Sequence, residues 1–191
     1  MGRDRRDAIL KHAAELFATQ GIRATTVREI GELADVHAGS LYHWFPSKDA
    51  VVAELLAGYM ANIHQRFTGV VDSANTPLEA IEGFIDATLA VIEEHPLPTA
   101  IYQQDRNYLR TKGLLTSVDD SSRAVRNYWL AALEEGVADG TFRADVPTET
   151  FYRALRDALW ASRHWPVRER HTREEFRDQM VRIFLHGFLA G

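Results

Sequence analysis

The sequence contains no cysteine, and this absence excludes several kinds of chemistry at once. Disulfides, thiol catalysis and cysteine-ligated metals cannot occur in such a chain. Long apolar runs are missing as well, because no stretch approaches the roughly 18 apolar residues of a membrane span. The N-terminus has no uninterrupted apolar block of the kind found in secretory signals. These absences suit a cytoplasmic protein with no membrane partner.

Positive charge is also in short supply, since the net charge is −5. Residues 1–50 carry seven basic and seven acidic side chains, so the whole deficit lies in the rest of the chain. An architectural protein that binds DNA without sequence preference gains affinity from a broad positive surface. The acidic remainder argues against that class, whereas the neutral first third permits DNA contact through locally placed cations.

Motifs of the common enzyme classes are missing too. The sequence has no HExxH, GxSxG, GxGxxG or P-loop pattern. The histidines at 95, 164 and 171 show no metal-ligand spacing. We therefore expect a protein that is not an enzyme, with no metal site and no cofactor.

Apolar residues recur with helical spacing through most of the chain, and strand-like alternation is absent. A threonine followed by glutamate three residues later forms a capping box at Thr26, Thr76 and Thr172. The pattern predicts an all-α fold of about nine helices. They are expected near 5–19, 26–34, 38–44, 48–71, 77–94, 99–111, 119–138, 148–164 and 172–189.

Residues 25–48, "TTVREIGELADVHAGSLYHWFPSK", place two short helical segments on either side of a small turn. This is the layout of a helix-turn-helix, whose second helix enters the major groove of DNA. Ala38, Gly39 and Ser40 are small enough to let that helix approach base edges. The alternative is a small helical corner whose aromatic residues belong to the core.

The stretch also resembles the N-terminal domain of the TetR family of transcriptional repressors. The family's Phe-x-x-x-Gly appears at Phe17 and Gly21, and its Gly-x-Leu-Tyr-x-x-Phe-x-x-Lys signature runs from Gly39 to Lys48. The resemblance implies a helix-turn-helix DNA-binding domain at 1–48, joined by a long helix to a ligand-binding and dimerisation domain at 49–191. The residues predicted to contact operator DNA are Thr26, Val27, Arg28, His37, Ala38, Gly39, Ser40, Tyr42, His43 and Lys48.

The family resemblance further implies a homodimer that binds a near-palindromic operator and is released by a small effector. Apolar positions in the last two helices fit the four-helix dimer interface of this family. They are Phe151, Leu155, Leu159, Phe176, Met180, Ile183 and Phe184.

The clearest candidate for effector binding is "LRDALWASRHW" at 155–165. Arg156, Trp160 and His164 recur at i, i+4 and i+8, so a single helix would place them on one face. A cation in line with two rings suits an anionic ligand with a planar group, such as a coenzyme A thioester. The alternative is that Trp160 is a core or dimer-contact residue and that Arg156 pairs with a neighbouring acid.

The C-terminal half also resembles the TetR-family repressors of steroid catabolism in actinobacteria, in "IYQQDRNYLR", "EEGVADGTFRADV" and "LRDALWASRHW". That resemblance implies an effector that is a CoA thioester, with Arg156 and Trp160 facing it. His164 stands where the resemblance leads us to expect arginine. The open alternative is a regulator of efflux or other metabolism that senses a hydrophobic ligand without CoA.

Overall fold

The computed structural model describes residues 2–186, apart from the side chains of residues 2, 3, 38 and 116–119. Within that range there is no β-strand element, which confirms the predicted all-α fold. The α-helices are α1 (Gly2–Gln20), α2 (Val27–Leu33), α3 (Ala38–Trp44), α4 (Lys48–Ser73), α5 (Pro77–Glu94), α6 (Pro96–Gln104), α7 (Arg106–Thr111), α8 (Thr116–Ala138), α9 (Thr148–Ala161) and α10 (Arg173–Leu185). Two 3₁₀ turns, Ser162–His164 and Arg168–Arg170, connect α9 to α10.

Two compact units make up the chain, and the first comprises Met1–Ala61 and His95–Asp120. It contains α1 to α3, the first half of α4, and α6 with α7. Its core is a set of fully buried apolar side chains on these helices and the loops between them: Ile9, Phe17, Ile22, Ile30, Leu41, Phe45, Val51, Val52, Ile101 and Leu109. The two helices that lie far along the sequence therefore belong to the same core as the helix-turn-helix.

The second unit comprises Asn62–Glu94 and Ser121–Gly191, and aromatic packing dominates its core. Phe84 stacks on Phe67 with ring centroids 5.1 Å apart and contacts Trp129 at the same distance. Trp129 in turn meets Tyr152, at 6.1 Å. Aromatic pairs of this kind add about 0.5–1.5 kcal/mol each beyond the area that they bury. The cluster joins the end of α4 to α5, α8 and α9.

Several helix boundaries differ from those predicted. The helix expected at 99–111 begins earlier, at Pro96, because proline is tolerated in the first turn of a helix. It is also divided into two helices by a bend at Asp105. The helix expected to reach His164 ends at Ala161, and a 3₁₀ turn formed by Ser162–His164 follows it. The predicted end of the last helix, near residue 189, lies outside the described residues.

The capping boxes at Thr26 and Thr172 are both confirmed, each with its glutamate bonded back to the threonine backbone. At Thr76 the arrangement differs in one bond. The Thr76 hydroxyl caps Glu79 N–H, but the Glu79 carboxylate accepts from Asn75 N–H at 2.8 Å.

The predicted dimer face is wrong for most of its residues. The side chains of Phe151, Leu155, Leu159, Phe176 and Met180 are buried within one protomer. Ile183, by contrast, is 67% exposed. The apolar stripes of both helices pack on α5 of the same chain, and a residue that is already buried there has no surface to offer a partner.

Replacing Gly136 by alanine should destabilise the second unit. A Cβ at this position would lie 2.2 Å from Cδ2 of Phe142, whose ring is only 1% exposed and cannot move away. Overpacking of this kind costs about 1–3 kcal/mol, so the melting temperature should fall. Gly69→Ala is the matched control, because nothing lies within 4 Å of its added methyl group. An equal melting temperature for the two variants would contradict this packing.

Candidate functional site

Helix α3 presents two chemically different faces. Leu41, in the middle of the helix, and Phe45, just beyond its end, are fully buried in the core of the first unit. Gly39, Ser40 and His43 are exposed, and Tyr42 is 54% exposed. The side chain of Ala38 lies outside the described part of the chain. A helix of only seven residues thus keeps its small and polar groups in solvent while its apolar groups anchor it.

The start of α2 is held by a reciprocal pair of hydrogen bonds. The Thr26 hydroxyl accepts from Glu29 N–H at 3.2 Å, and the Glu29 carboxylate accepts from Thr26 N–H at 2.7 Å. Hydrogen bonds from the Thr26 hydroxyl and backbone lower the pKa of Glu29. Thr26 itself remains exposed and Val27 is half-buried. The capping box therefore fixes the backbone of Thr26, the residue that we predicted to contact a phosphate.

Arg28 is exposed on the same helix and pairs with Glu32 one turn later, with Nε 2.8 Å from the carboxylate. The hydrogen bond to Glu32 raises the pKa of Arg28. Ion pairs on a solvated surface contribute little to stability. Arg28 can therefore exchange its carboxylate partner for a phosphate at small cost.

The turn between the two helices depends on an unusual backbone conformation. Asp35 adopts a φ of 52°, and Val36 N–H donates to the carbonyl of Gly31 at 2.8 Å. This is the bond pattern of a Schellman ending, in which an aspartate takes the left-handed position that glycine usually fills. The turn delivers His37 to the start of α3 with its imidazole exposed and not used as a cap.

Lys48 lies at the first residue of α4, and its ammonium is already committed to the protein. It donates to the carbonyl of Ile22 at 2.5 Å and to that of Thr25 at 2.6 Å. Burial lowers its pKa. An ammonium has three N–H groups, so one remains for the phosphate contact that we predicted. The structure adds a second role, in which Lys48 ties the loop before α2 to the helix after α3.

The three candidate effector residues lie in the second unit, and two of them are neighbours on α9. Arg156 pairs with Asp157 at 2.6 Å, as the alternative interpretation of the sequence expected, and its guanidinium also lies 5.5 Å from the Tyr152 ring centroid. Trp160 is half-buried one turn later. His164 is exposed in the 3₁₀ turn beyond the end of α9, so the three side chains do not share one continuous helix face.

Sequence reasoning missed Tyr152 as a neighbour of Arg156. The two are four residues apart on one helix, and this spacing is a signal that could have found the pair. Tyr152 is buried and belongs to the aromatic cluster, and desolvation raises its pKa. The guanidinium of Arg156 is thereby anchored on the core at one side and reaches solvent at the other.

No group of three or more metal-ligating side chains forms within the described residues. Across the same range, no helix combines the length and the apolar character needed to cross a bilayer.

Comparison with known proteins identifies the class to which this geometry belongs. Residues 9–55 match the model of the bacterial regulatory proteins of the tetR family, and residues 74–188 match a tetracyclin repressor-like C-terminal domain. The chain belongs to the TetR family. It is therefore a helix-turn-helix transcriptional regulator, and its relatives are regulators and not enzymes.

Among its relatives is the HTH-type transcriptional repressor KstR2 of Mycobacterium tuberculosis H37Rv. The two are 38% identical over 161 residues, which cover 84% of this chain and 80% of the relative. KstR2 of Rhodococcus jostii RHA1 is 35% identical over the same length and share of this chain, and 79% of its own length is covered. The solved structure of the ketosteroid transcriptional regulator KstR2 of M. tuberculosis matches with a TM-score of 0.90 at 35% identity, covering 98% of this chain and 96% of that one. This TetR-family protein is thus similar to the KstR2 repressors over nearly its whole length.

AibR shares the fold at a TM-score of 0.82 and 18% identity, covering 95% of this chain and 98% of that one. Its crystal structure contains isovaleryl coenzyme A and operator DNA. At that identity the likeness concerns the fold alone.

The capping box should make the stability of the first unit depend on pH. The pKa of Glu29 is lowered in the folded state from 4.5, so its contribution is present above that value and is lost as the pH falls through the folded pKa. Glu29→Gln should therefore reduce the loss of stability between neutral pH and acid, measured by urea unfolding. Thr26→Ser keeps the hydroxyl and should behave as the wild type. An unchanged pH dependence in Glu29→Gln would contradict this assignment.

Proposed function

We propose that the protein is a repressor whose homodimer binds a near-palindromic operator when free of ligand and is released by a CoA thioester. The observation that carries the DNA-binding part is the division of α3 into a fully buried apolar face and an exposed face of small and polar residues. Only the second face is open to DNA, and it carries the residues that suit base edges and phosphates.

The exposed groups divide by what they can contact. Gly39 and Ser40, in the first turn of α3, allow the backbone to approach base edges in the major groove. Tyr42 and His43 lie further along, where a hydroxyl and an imidazole can donate to phosphate oxygens. In an isologous dimer the two copies of α3 would enter successive major grooves about 34–36 Å apart or wider.

The effector site is proposed around Arg156, Tyr152 and Trp160. A guanidinium supported by an aromatic ring suits a phosphate group, and a half-buried indole suits a planar ring. The similarity to KstR2, the ketosteroid transcriptional regulator, supports a ligand from steroid breakdown, and AibR is an example of a protein with this fold that binds a CoA thioester. At His164 an imidazole stands where the resemblance led us to expect a guanidinium, so a phosphate contact there would have fewer N–H donors.

Helix α4 offers a route for coupling, because it supplies residues 48–61 to the first unit and residues 62–73 to the second. A ligand can shift DNA binding by no more than its difference in affinity between the two states of the protein. The CoA thioester must therefore bind the released form more tightly than the DNA-bound form.

Tyr42→Phe should weaken operator binding by about tenfold or more, because each half-site loses a hydrogen bond to a charged phosphate. The measurement is fluorescence anisotropy with a duplex selected by the wild-type protein from a random library, beside a scrambled duplex. Tyr128→Phe, a substitution in α8, is the control and should bind as the wild type does. Equal affinity of the wild type for both duplexes would instead favour an architectural DNA binder.

Acyl-CoAs should release the protein from its operator, whereas the matching free acids should not. The titration should compare a steroid-derived acyl-CoA, a fatty acyl-CoA, CoA alone and the free acids. Release by free acids as readily as by thioesters would favour the alternative of a hydrophobic ligand without CoA.

Arg156→Ala should raise the acyl-CoA concentration needed for release by about tenfold, since a hydrogen bond between charged groups is lost. Arg153→Ala is a matched control, because Arg153 lies on the same helix and also pairs with a carboxylate, that of Glu149. Equal shifts for the two variants would refute a direct role for Arg156.

A further inference from the structure

Residues 105–112 supply polar side chains that reach both ends of the segment carrying α2 and α3. We refer to Asp105, Tyr108 and Lys112 as the α6–α7 clamp. All three lie in the first unit, and Leu109 in the same segment is fully buried. The helix-turn-helix therefore has fixed partners from a part of the chain that is distant in sequence.

The first contact of the clamp holds the loop before α2. Asp105 lies between α6 and α7 but its side chain does not cap α7. Its carboxylate accepts instead from Ile22 N–H at 3.1 Å. Ile22 follows Gly21, where the chain leaves α1 with a φ of 84°. A hydrogen bond from an amide to a carboxylate is charge-assisted and stronger than a neutral one, so this bond locates the loop firmly.

The second contact holds the first turn of α4. The Tyr108 hydroxyl donates to the carboxylate of Asp49 at 2.5 Å, and the Lys112 ammonium lies 3.5 Å from the same carboxylate. The guanidinium of Arg23, in the loop before α2, lies 5.9 Å from the Tyr108 ring centroid. Burial, together with the bond to Asp49, raises the pKa of Tyr108 to about 12, so the hydroxyl stays protonated at neutral pH.

The segment 26–44 thus begins from a loop held by Asp105 and ends at a helix held by Tyr108. Lys48 closes the arrangement, since its ammonium bridges from α4 to the carbonyls of that same loop. We propose that Asp105 and Tyr108 are positioning residues for DNA reading, which keep α3 in the orientation that a specific operator requires. This proposal rests on the proposed operator binding.

A positioning role predicts a loss of specificity and not of DNA binding as such. Binding to random DNA depends mainly on the number of cations near phosphates, which Tyr108→Phe leaves unchanged. Binding to an operator also depends on the placement of α3 against base edges. A misplaced α3 should therefore weaken operator binding while affinity for random DNA is kept.

The test uses the full-length protein, the selected duplex and a scrambled duplex, with melting temperatures measured in parallel. Tyr108→Phe removes one hydroxyl and no charge. Tyr102→Phe is its control, since Tyr102 lies on α6 and contacts Arg106 through its ring. Asp105→Ala and Asp105→Asn form a second, charge-matched pair, in which only asparagine keeps an oxygen that can accept from Ile22 N–H.

We expect Tyr108→Phe and Asp105→Ala to lower operator affinity by about tenfold, with random-DNA affinity within about twofold of the wild type. Asp105→Asn and Tyr102→Phe should stay within about threefold of the wild type on both duplexes. Unchanged operator affinity in Tyr108→Phe overturns the proposal. So does an equal loss on both duplexes with a lower melting temperature, because the contacts would then only maintain the fold. If the wild-type protein selects no sequence from the random library, operator binding itself is refuted. That result is obtained before any variant is measured, so it is distinct from failure of the positioning proposal.

Discussion

Helices α2 and α3 are seven residues each, and helices so short are not stable by themselves in water. The exposed surface of the helix-turn-helix therefore depends on how the rest of the first unit holds them. Leu41 and Phe45 bury the inner side of α3 and its end, and the ammonium of Lys48 joins the following helix to the loop before α2. Because apolar burial and part-buried hydrogen bonds provide the anchoring, the outer face of α3 can keep small and polar residues in solvent.

In the second unit, the side chain of Arg156 at the candidate effector site is also held in place by neighbouring residues. A guanidinium that is to meet a ligand phosphate needs a defined position without being removed from water. Arg156 achieves this on α9, where the buried ring of Tyr152 supports it from the core side and Asp157 pairs with it at the surface. An incoming phosphate would have to replace that carboxylate. The exposed position of the pair makes such an exchange inexpensive, since surface ion pairs contribute little.

Much of the fold could be predicted because its signals are local in sequence. Capping boxes involve residues three apart and helix faces involve residues three or four apart, so they can be read directly from the chain. The prediction of the dimer face failed because it concerned contacts between distant segments. Phe176 and Met180 have the spacing of an interface, but both are buried within one protomer, whose α10 packs on α5. Periodicity shows that a helix face is apolar, and it does not show which surface buries that face.

The amino-acid sequence by itself determined the all-α class and the helix-turn-helix, because family signature, caps and periodicity all lie within short windows. Only the tertiary structure decided that Lys48 binds backbone carbonyls, that Asp105 reaches Ile22 N–H, and that α9 ends before His164. The bonds of Lys48 and Asp105 depend on which donors and acceptors meet once distant segments pack. The sequence does not show which group a polar side chain will bond, because the two groups come together only in the folded chain.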